Sequence, residues 1–244
     1  MRVIINADDF GYSGEVNAAI VQAFSESLVS STTIMPNMPG FEEAVELTKT
    51  KGLTGRVGIH LNLFEGSALT EEMKKCKIFV DDFGDFHQRS IQFSAPFKID
   101  RKIITGELFA QIEKVMKTGI NPTHLDSHAH RHTNFFIGTE VINLAKHFKI
   151  PAIRISSNIR NDKLSNIKAD LYNLRLKIRG IKAVNYLGSI PVIAACIEHL
   201  IGNVEVISHP VYKNGLLTDL EYSGELKDLL TSFLRYEAIS YKDI

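Results

Sequence analysis

The feature that most limits how this chain can fold is an alternation along its length. Short runs rich in β-branched residues are each followed by a segment with helical spacing of apolar side chains. Arg2–Ala7, Leu28–Met35, Gly55–Leu63, Ala152–Ile155, Ala183–Leu187, Val204–Ile207 and Ala238–Ser240 read as strands. Helices are expected at Glu15–Ser25, Phe41–Lys51, Arg101–Thr118, Ile137–His147, Ile190–Ile201 and Ser223–Tyr236. In the first of these, Ser13 can cap the start, and Val16, Ile20, Val21 and Phe24 fall on one face. Strands alternating with helices predict an α/β fold with a mostly parallel sheet and right-handed crossovers. With about seven strands in this order, an irregular (β/α) barrel of the TIM type is a better expectation than an open sheet. The length of 244 residues suits one domain spanning 1–244. Residues 64–98 are less regular and read as an excursion or flap near the site. Residues 157–183 are basic and weakly patterned, and the pattern assigns no element there.

Composition narrows the partners. Formal net charge is zero, from 28 basic and 28 acidic residues, which argues against a nucleic-acid binder or a polybasic membrane protein. No stretch of about 18 apolar residues offers a membrane span. Two cysteines, Cys76 and Cys196, form no CxxC pair or disulfide framework, so a reducing cytoplasm is the expected location. The N-terminus is too short and too acidic for a signal peptide. Apolar helix faces could serve a core or a homo-oligomer interface, and the sequence does not separate the two.

Chemistry gathers in Thr123-His124-Leu125-Asp126-Ser127-His128-Ala129-His130-Arg131-His132, which holds four of the nine histidines at alternate positions. In an extended segment His124, Asp126, His128, His130 and His132 all project to one side; if the strand ends midway, that common face is lost for the later ones. Imidazoles beside a carboxylate suit a divalent cation, and a carboxylate behind a histidine can orient it. The bland alternative is a solvated loop. Asp8-Asp9 closes the first strand; one carboxylate can bind a metal while the other acts as a base, or both can simply favour the amides of the next helix. His60, Arg154 and His209 also fall in or after strands. Singly each has an ordinary structural reading; Arg154 could also hold a base carboxylate ionised. Strand ends of a barrel converge at one rim, so these scattered positions are expected to form one pocket.

With those residues assembled, the sequence resembles the YdjC-like carbohydrate deacetylases, the group that includes chitooligosaccharide deacetylases. The resemblance is carried by Asn6-Ala7-Asp8-Asp9-Phe10-Gly11, Ser31-Thr32-Thr33, Gly58-Ile59-His60, Thr123–His128 with His130 and His132, Arg154, Ser208-His209-Pro210 and Ser240-Tyr241-Lys242-Asp243. It implies an irregular barrel akin to the NodB-type deacetylases and hydrolysis of the acetamide of an N-acetylated sugar. It further implies one divalent metal on Asp9, His60 and His128, with Asp8 as base, His209 as acid and Arg154 positioning Asp8. The roles of Asp8 and Asp9 could be exchanged. Asp126 is expected to orient a histidine, and His124, His130, His132 and Asn62 to line or support the site. The ligand set suits Zn²⁺, Co²⁺ or Mn²⁺, and the family precedent adds Mg²⁺. Rival readings are a metal-dependent hydrolase of another amide or a phosphoester, and a non-catalytic sugar-binding relative.

Overall fold

The computed structural model describes residues 1–88, 101–159 and 163–244, with the side chains of 163–166 outside that description. The expected excursion therefore continues from 89 to 98 outside the described residues.

The central strand is β1 (Arg2–Phe10), buried at every position after Arg2. A strand covered on both faces is apolar throughout rather than alternating, as Val3-Ile4-Ile5 shows. Around it lie β2 (Ser31–Ile34), β3 (Val57–Leu61), β4 (His124–Ser127), β5 (Ala152–Ile153), β6 (Tyr186–Ser189) and β7 (Asn203–Ser208), in the order β5-β4-β3-β2-β1-β7-β6. Every pairing on this path is parallel. Helices α1 (Gly14–Ser25), α2 (Phe41–Thr50), the short α3 (Glu71–Lys74), α4 (Arg101–Lys117), α5 (Phe135–Phe148), α6 (Lys163–Ile178), α7 (Ile190–Ala194) and α8 (Leu226–Leu230) make the crossovers and cover the sheet. No helix among the described residues is long and apolar enough to cross a membrane.

The expected irregular barrel is present, and its irregularity is local. β5 has two residues, and among the described residues it meets the far edge only through an Ala152–Lys182 bridge. Beyond that bridge the gap is spanned by side chains: Ser157 Oγ donates to Leu187 O at 2.9 Å and Asn158 Nδ2 to Asn185 O at 2.8 Å.

Four expectations need correction. The 157–183 region contains α6, whose Ala169, Tyr172 and Leu176 are buried while Ile167, Leu171, Leu174 and Ile178 are exposed. Apolar residues on two faces blur the one-sided periodicity that marks a surface helix. Of Ser223–Tyr236 only Leu226–Leu230 is α-helical. Helix Ile190–Ile201 ends at Ala194. After β7 an antiparallel hairpin was not anticipated: β8 (Pro210–Lys213) and β9 (Leu216–Asp219), joined at Asn214-Gly215. Both turn residues have positive φ, 53° and 78°, the signature of a two-residue hairpin turn. A last strand, β10 (Glu237–Ala238), pairs with Arg2 and Val3 of β1, on the edge that β2 takes from Asn6 onward.

Candidate active site

Asp8 and Asp9 share the end of β1, and in a regular strand adjacent side chains point to opposite faces. Here the β1–β2 register shifts between Ala7 and Phe10, and Asp9 takes φ 70°. That left-handed turn costs on the order of 1 kcal/mol for an L-residue. It brings both carboxylates to the wall of one cavity of about 290 Å³.

Around Asp9 the partners are imidazoles. Asp9 Oδ1 lies 3.3 Å from His60 Nε2 and 3.0 Å from His128 Nδ1. His60, buried on β3, has its Nδ1 2.7 Å from Asp126 Oδ1. With Asp126 ionised, that nitrogen carries the proton and Nε2 is turned to Asp9. Burial disfavours a charged His60, but Asp126, Asp9 and Asp8 outweigh it and push the imidazole up to about 10. His128 is likewise opposed by burial and pushed up to about 9, through Asp9 and Glu65. Burial raises Asp9, and its hydrogen bonds to His128 and His60 reverse this and hold it well below the usual carboxylate range.

Around Asp8 the partner is permanent. Arg154 lies just past β5 and is wholly buried. Its Nη1 donates to Asp8 Oδ2 at 2.7 Å and its Nη2 to Asp8 Oδ1 at 2.6 Å, a two-pronged pair. Asn6 Nδ2 donates to Asp8 Oδ1 at 2.8 Å. Arg154 also meets Asp126 Oδ2 at 2.7 Å, and its Nε donates to Glu205 Oε1 at 2.9 Å. Burial raises Asp8, and Arg154 brings it below its ordinary value.

Among the described residues two groups of donors come close enough to hold a cation: Asp9–His60–His128 and Asp8–His60–Asp126. The second is already neutralised by the Arg154 guanidinium lying on both carboxylates. The first borders the cavity, and among the described residues its carboxylate, Asp9, is paired with titratable imidazoles alone. Its one carboxylate and two imidazoles fit a divalent metal, the protons on the imidazoles standing where the ion's charge would be.

The histidine stretch divides at Ser127. His124 and Asp126 share the inward face of β4, and the strand then gives way to a 3₁₀ turn, His128–Thr133, with Ala129 and His130 left-handed. Ser127 pins that turn: its Oγ accepts from His132 N at 2.8 Å and lies 2.7 Å from His132 Nδ1. The five-residue common face is therefore not realised. His128 reaches the cavity, His130 is exposed, and His132 is buried against Tyr172. Burial pushes His132 and His124 down to about 3, which keeps both neutral. His124 stacks on Tyr241 at 3.6 Å and lies so close to β3 that a Cβ on Gly58 would come within 2.4 Å of its ring. Asn62 does not face the cavity; it builds the turn after β3, accepting from the Phe64 and Glu65 amides at 2.9 and 3.2 Å. His209 is half-buried on the cavity wall, its amide bonded to Asp219 Oδ2 at 2.8 Å.

Four contributors were not anticipated. Glu65 Oε1 lies 3.0 Å from His128 Nε2, so both nitrogens of that ring face carboxylates. Tyr12 donates to Glu65 Oε2 at 3.3 Å. Glu205 and Tyr241 lie behind Arg154. A glutamate inside the apolar strand Val204–Ile207 was the readable signal for Glu205, since a buried charge requires a partner.

The YdjC-like protein family model matches residues 2–235. A carbohydrate deacetylase of Clostridium beijerinckii is 34% identical, with 100% of each chain covered. One from Brevibacillus brevis is 33% identical over 96% of this chain and 93% of its own. Among solved structures, an Enterococcus faecalis protein provisionally assigned to cellobiose-phosphate cleavage superposes with a TM-score of 0.76 at 24% identity, covering 99% of this chain and 98% of that one. A lactam utilization protein from Thermus thermophilus gives a TM-score of 0.57 at 14% identity, over 98% of this chain and 100% of that one. These two share the fold.

Proposed function

The chain belongs to the YdjC-like family, and from that premise we propose that it is a metal-dependent carbohydrate deacetylase, hydrolysing the acetamide of an N-acetylated sugar. The observation that carries the reading is the opposite wiring of adjacent carboxylates: Asp8 on a buried arginine, Asp9 on two imidazoles at the cavity. Asp9, His60 and His128 would hold the cation, Zn²⁺, Co²⁺, Mn²⁺ or Mg²⁺. When bound, a divalent ion there supplies Lewis acidity toward the acetyl carbonyl and lowers the pKa of water.

Asp8 is the base. A carboxylate has about four acceptor positions; Asp8 Oδ1 uses two, on Arg154 and Asn6, and Oδ2 uses one, on Arg154. The remaining position on Oδ2 can take a proton from the attacking water. Arg154 keeps Asp8 ionised for that task and fixes its plane. His209 is the acid for the leaving amine; its ring has no hydrogen-bond partner among the described residues and stands on the same cavity wall. Asp126 holds His60 in the tautomer that turns Nε2 to the cation position. Arg154 supports this division of roles, because its guanidinium already balances the Asp8 charge.

The cavity suits one sugar ring, being near the lower end of ligand pockets, about 300 Å³. Among the described residues its lining carries Asp8, Asp9 and Glu65 and no Lys or Arg, which favours an uncharged sugar over a phosphoester. The test is acetate release from a panel of N-acetylated mono- and oligosaccharides. Chelator-treated protein should be inactive and each divalent ion should restore it to a different degree. Absence of acetate from every sugar with every ion rejects the reading.

A further inference from the structure

The chain's closing Ser240-Tyr241-Lys242-Asp243 touches no part of the cavity, yet it connects to Asp8 through two side chains. β10 joins β1 at Arg2 and Val3, at the opposite end of that strand from Asp8. Ile239 N donates to Val3 O at 2.9 Å, Ser30 Oγ donates to Ile239 O at 2.6 Å, and Ser240 and Asp243 form a reciprocal cap. These bonds anchor the segment and send Tyr241 into the barrel, where it is 1% exposed and stacked flat on His124. Its hydroxyl donates to Glu205 Oε2. Glu205 Oε1 accepts from Arg154 Nε at 2.9 Å and lies 2.8 Å from Nη2. The other side of the same guanidinium holds Asp8.

We propose that Tyr241 is a positioning residue for deacetylation: its hydroxyl fixes Glu205, Glu205 fixes one edge of Arg154, and Arg154 thereby presents Asp8 to the cavity. The inference rests on Asp8 being the base. Arg154 faces three carboxylates, Asp8, Asp126 and Glu205, so its orientation is set by how each is held. Asp126 is fixed by His60 and Thr33, and Asp8 by Asn6. Glu205 depends on Tyr241, because among the described residues its only other hydrogen-bonding partner is Arg154 itself. Burial pushes Glu205 up to about 7 against the pull of Arg154. The tyrosine hydroxyl favours the ionised form that can hold an arginine. Buried hydrogen-bonded networks of this kind favour a single geometry. A tyrosine serving only to fill the barrel needs no hydroxyl aimed at a charge.

Tyr241→Phe keeps the ring on His124 and removes only the hydroxyl. The expected result is a fall in kcat of about tenfold, the scale of losing a supporting partner, with KM and calorimetric metal affinity unchanged. Placed on Asp8→Asn, where there is no base to present, it should leave the residual rate unaltered, because residues acting as a unit are not additive. Glu205→Gln should reproduce the kcat loss, show no further loss with Tyr241→Phe, and carry the test if the tyrosine variant does not fold. Full kcat in folded Tyr241→Phe overturns the proposal, and so does a loss that multiplies undiminished onto Asp8→Asn. A wild type that releases no acetate overturns both this inference and the deacetylase reading. An active wild type matched by Tyr241→Phe overturns this inference alone.

Discussion

Asp8 and Asp9 are neighbours in the chain, but the regions around them are built on different principles. Asp8 is 3% exposed, and its charge is balanced by a guanidinium that cannot be deprotonated at any working pH. Asp9 is 8% exposed, and its charge is balanced by protons on His60 and His128, which can leave. The first arrangement keeps a carboxylate ionised and stationary. The second keeps a place for positive charge that a metal can take over, since ligand imidazoles must give up a proton on binding. One strand irregularity at Asp9, with φ 70°, lets the two arrangements share a wall.

The sharpest way to break this comparison is to remove each charge separately while keeping its shape. Asp8→Asn should retain the metal and lose about 10²- to 10⁴-fold in kcat, the range for removing a general base. Asp9→Asn should lose the metal, and with it all metal-dependent turnover. Elemental analysis of the purified variants beside acetate-release rates checks both. Metal loss in Asp8→Asn with retention in Asp9→Asn would exchange the two roles.

Much of the fold and part of the site could be read before any coordinates. Buried parallel strands announce themselves through runs such as Val3-Ile4-Ile5 and Val57–Leu61, and β4 begins at His124 after Pro122, near where the spacing placed it. Asp8, Asp9, His60, His128, Arg154 and His209 do converge, because strand ends of a barrel must. What could not be read depends on turns. Past Ser127 the two-residue period of the histidines carries no geometric meaning, because a hydroxyl bonded to His132 sends the backbone into a left-handed step. Glu65 reaches His128 only through the turn that Asn62 organises, a contact spanning 63 residues less local than any helical or strand spacing. The hairpin at Asn214-Gly215 had a legible signal, yet that signal gives no hint that Val211 and Leu220 will wall the cavity.

Glu65 offers a finer test of the Asp9 region. It accepts from the side of His128 that faces away from Asp9, and so holds the ring between two carboxylates. Glu65→Gln should weaken metal affinity about tenfold, as loss of a ligand's supporting partner does, with activity at saturating metal largely kept. Isothermal titration with Zn²⁺ measures it. Unchanged affinity would mean that Asp9 alone orients His128, and a loss beyond a thousandfold would make Glu65 a ligand in its own right.

The smallest effect separates the two regions by pH in metal-free protein. His60 and His128 are pushed up to about 10 and about 9, from an ordinary value of 6.5. Both therefore bind protons more tightly folded than unfolded, and each unit of elevation corresponds to about 1.4 kcal/mol of stability. That contribution is complete below about pH 6.5 and fades as pH rises through 9 and 10. Glu205, raised to about 7 from 4.5, loses its own contribution below that window, between about 4.5 and 7. From pH 7.5 to 10 the Asp8 region is silent, because Arg154 does not titrate. Chelated wild type should then melt progressively lower across this range. Metal-loaded protein should not, since the ion has already displaced the protons. Chelated Asp9→Asn should show a flatter profile, having lost a carboxylate that raises both histidines. A chelated wild type whose profile matches that of Asp9→Asn would mean that the protons at His60 and His128 are not what balances Asp9, and the contrast between the two carboxylates would lose its physical basis.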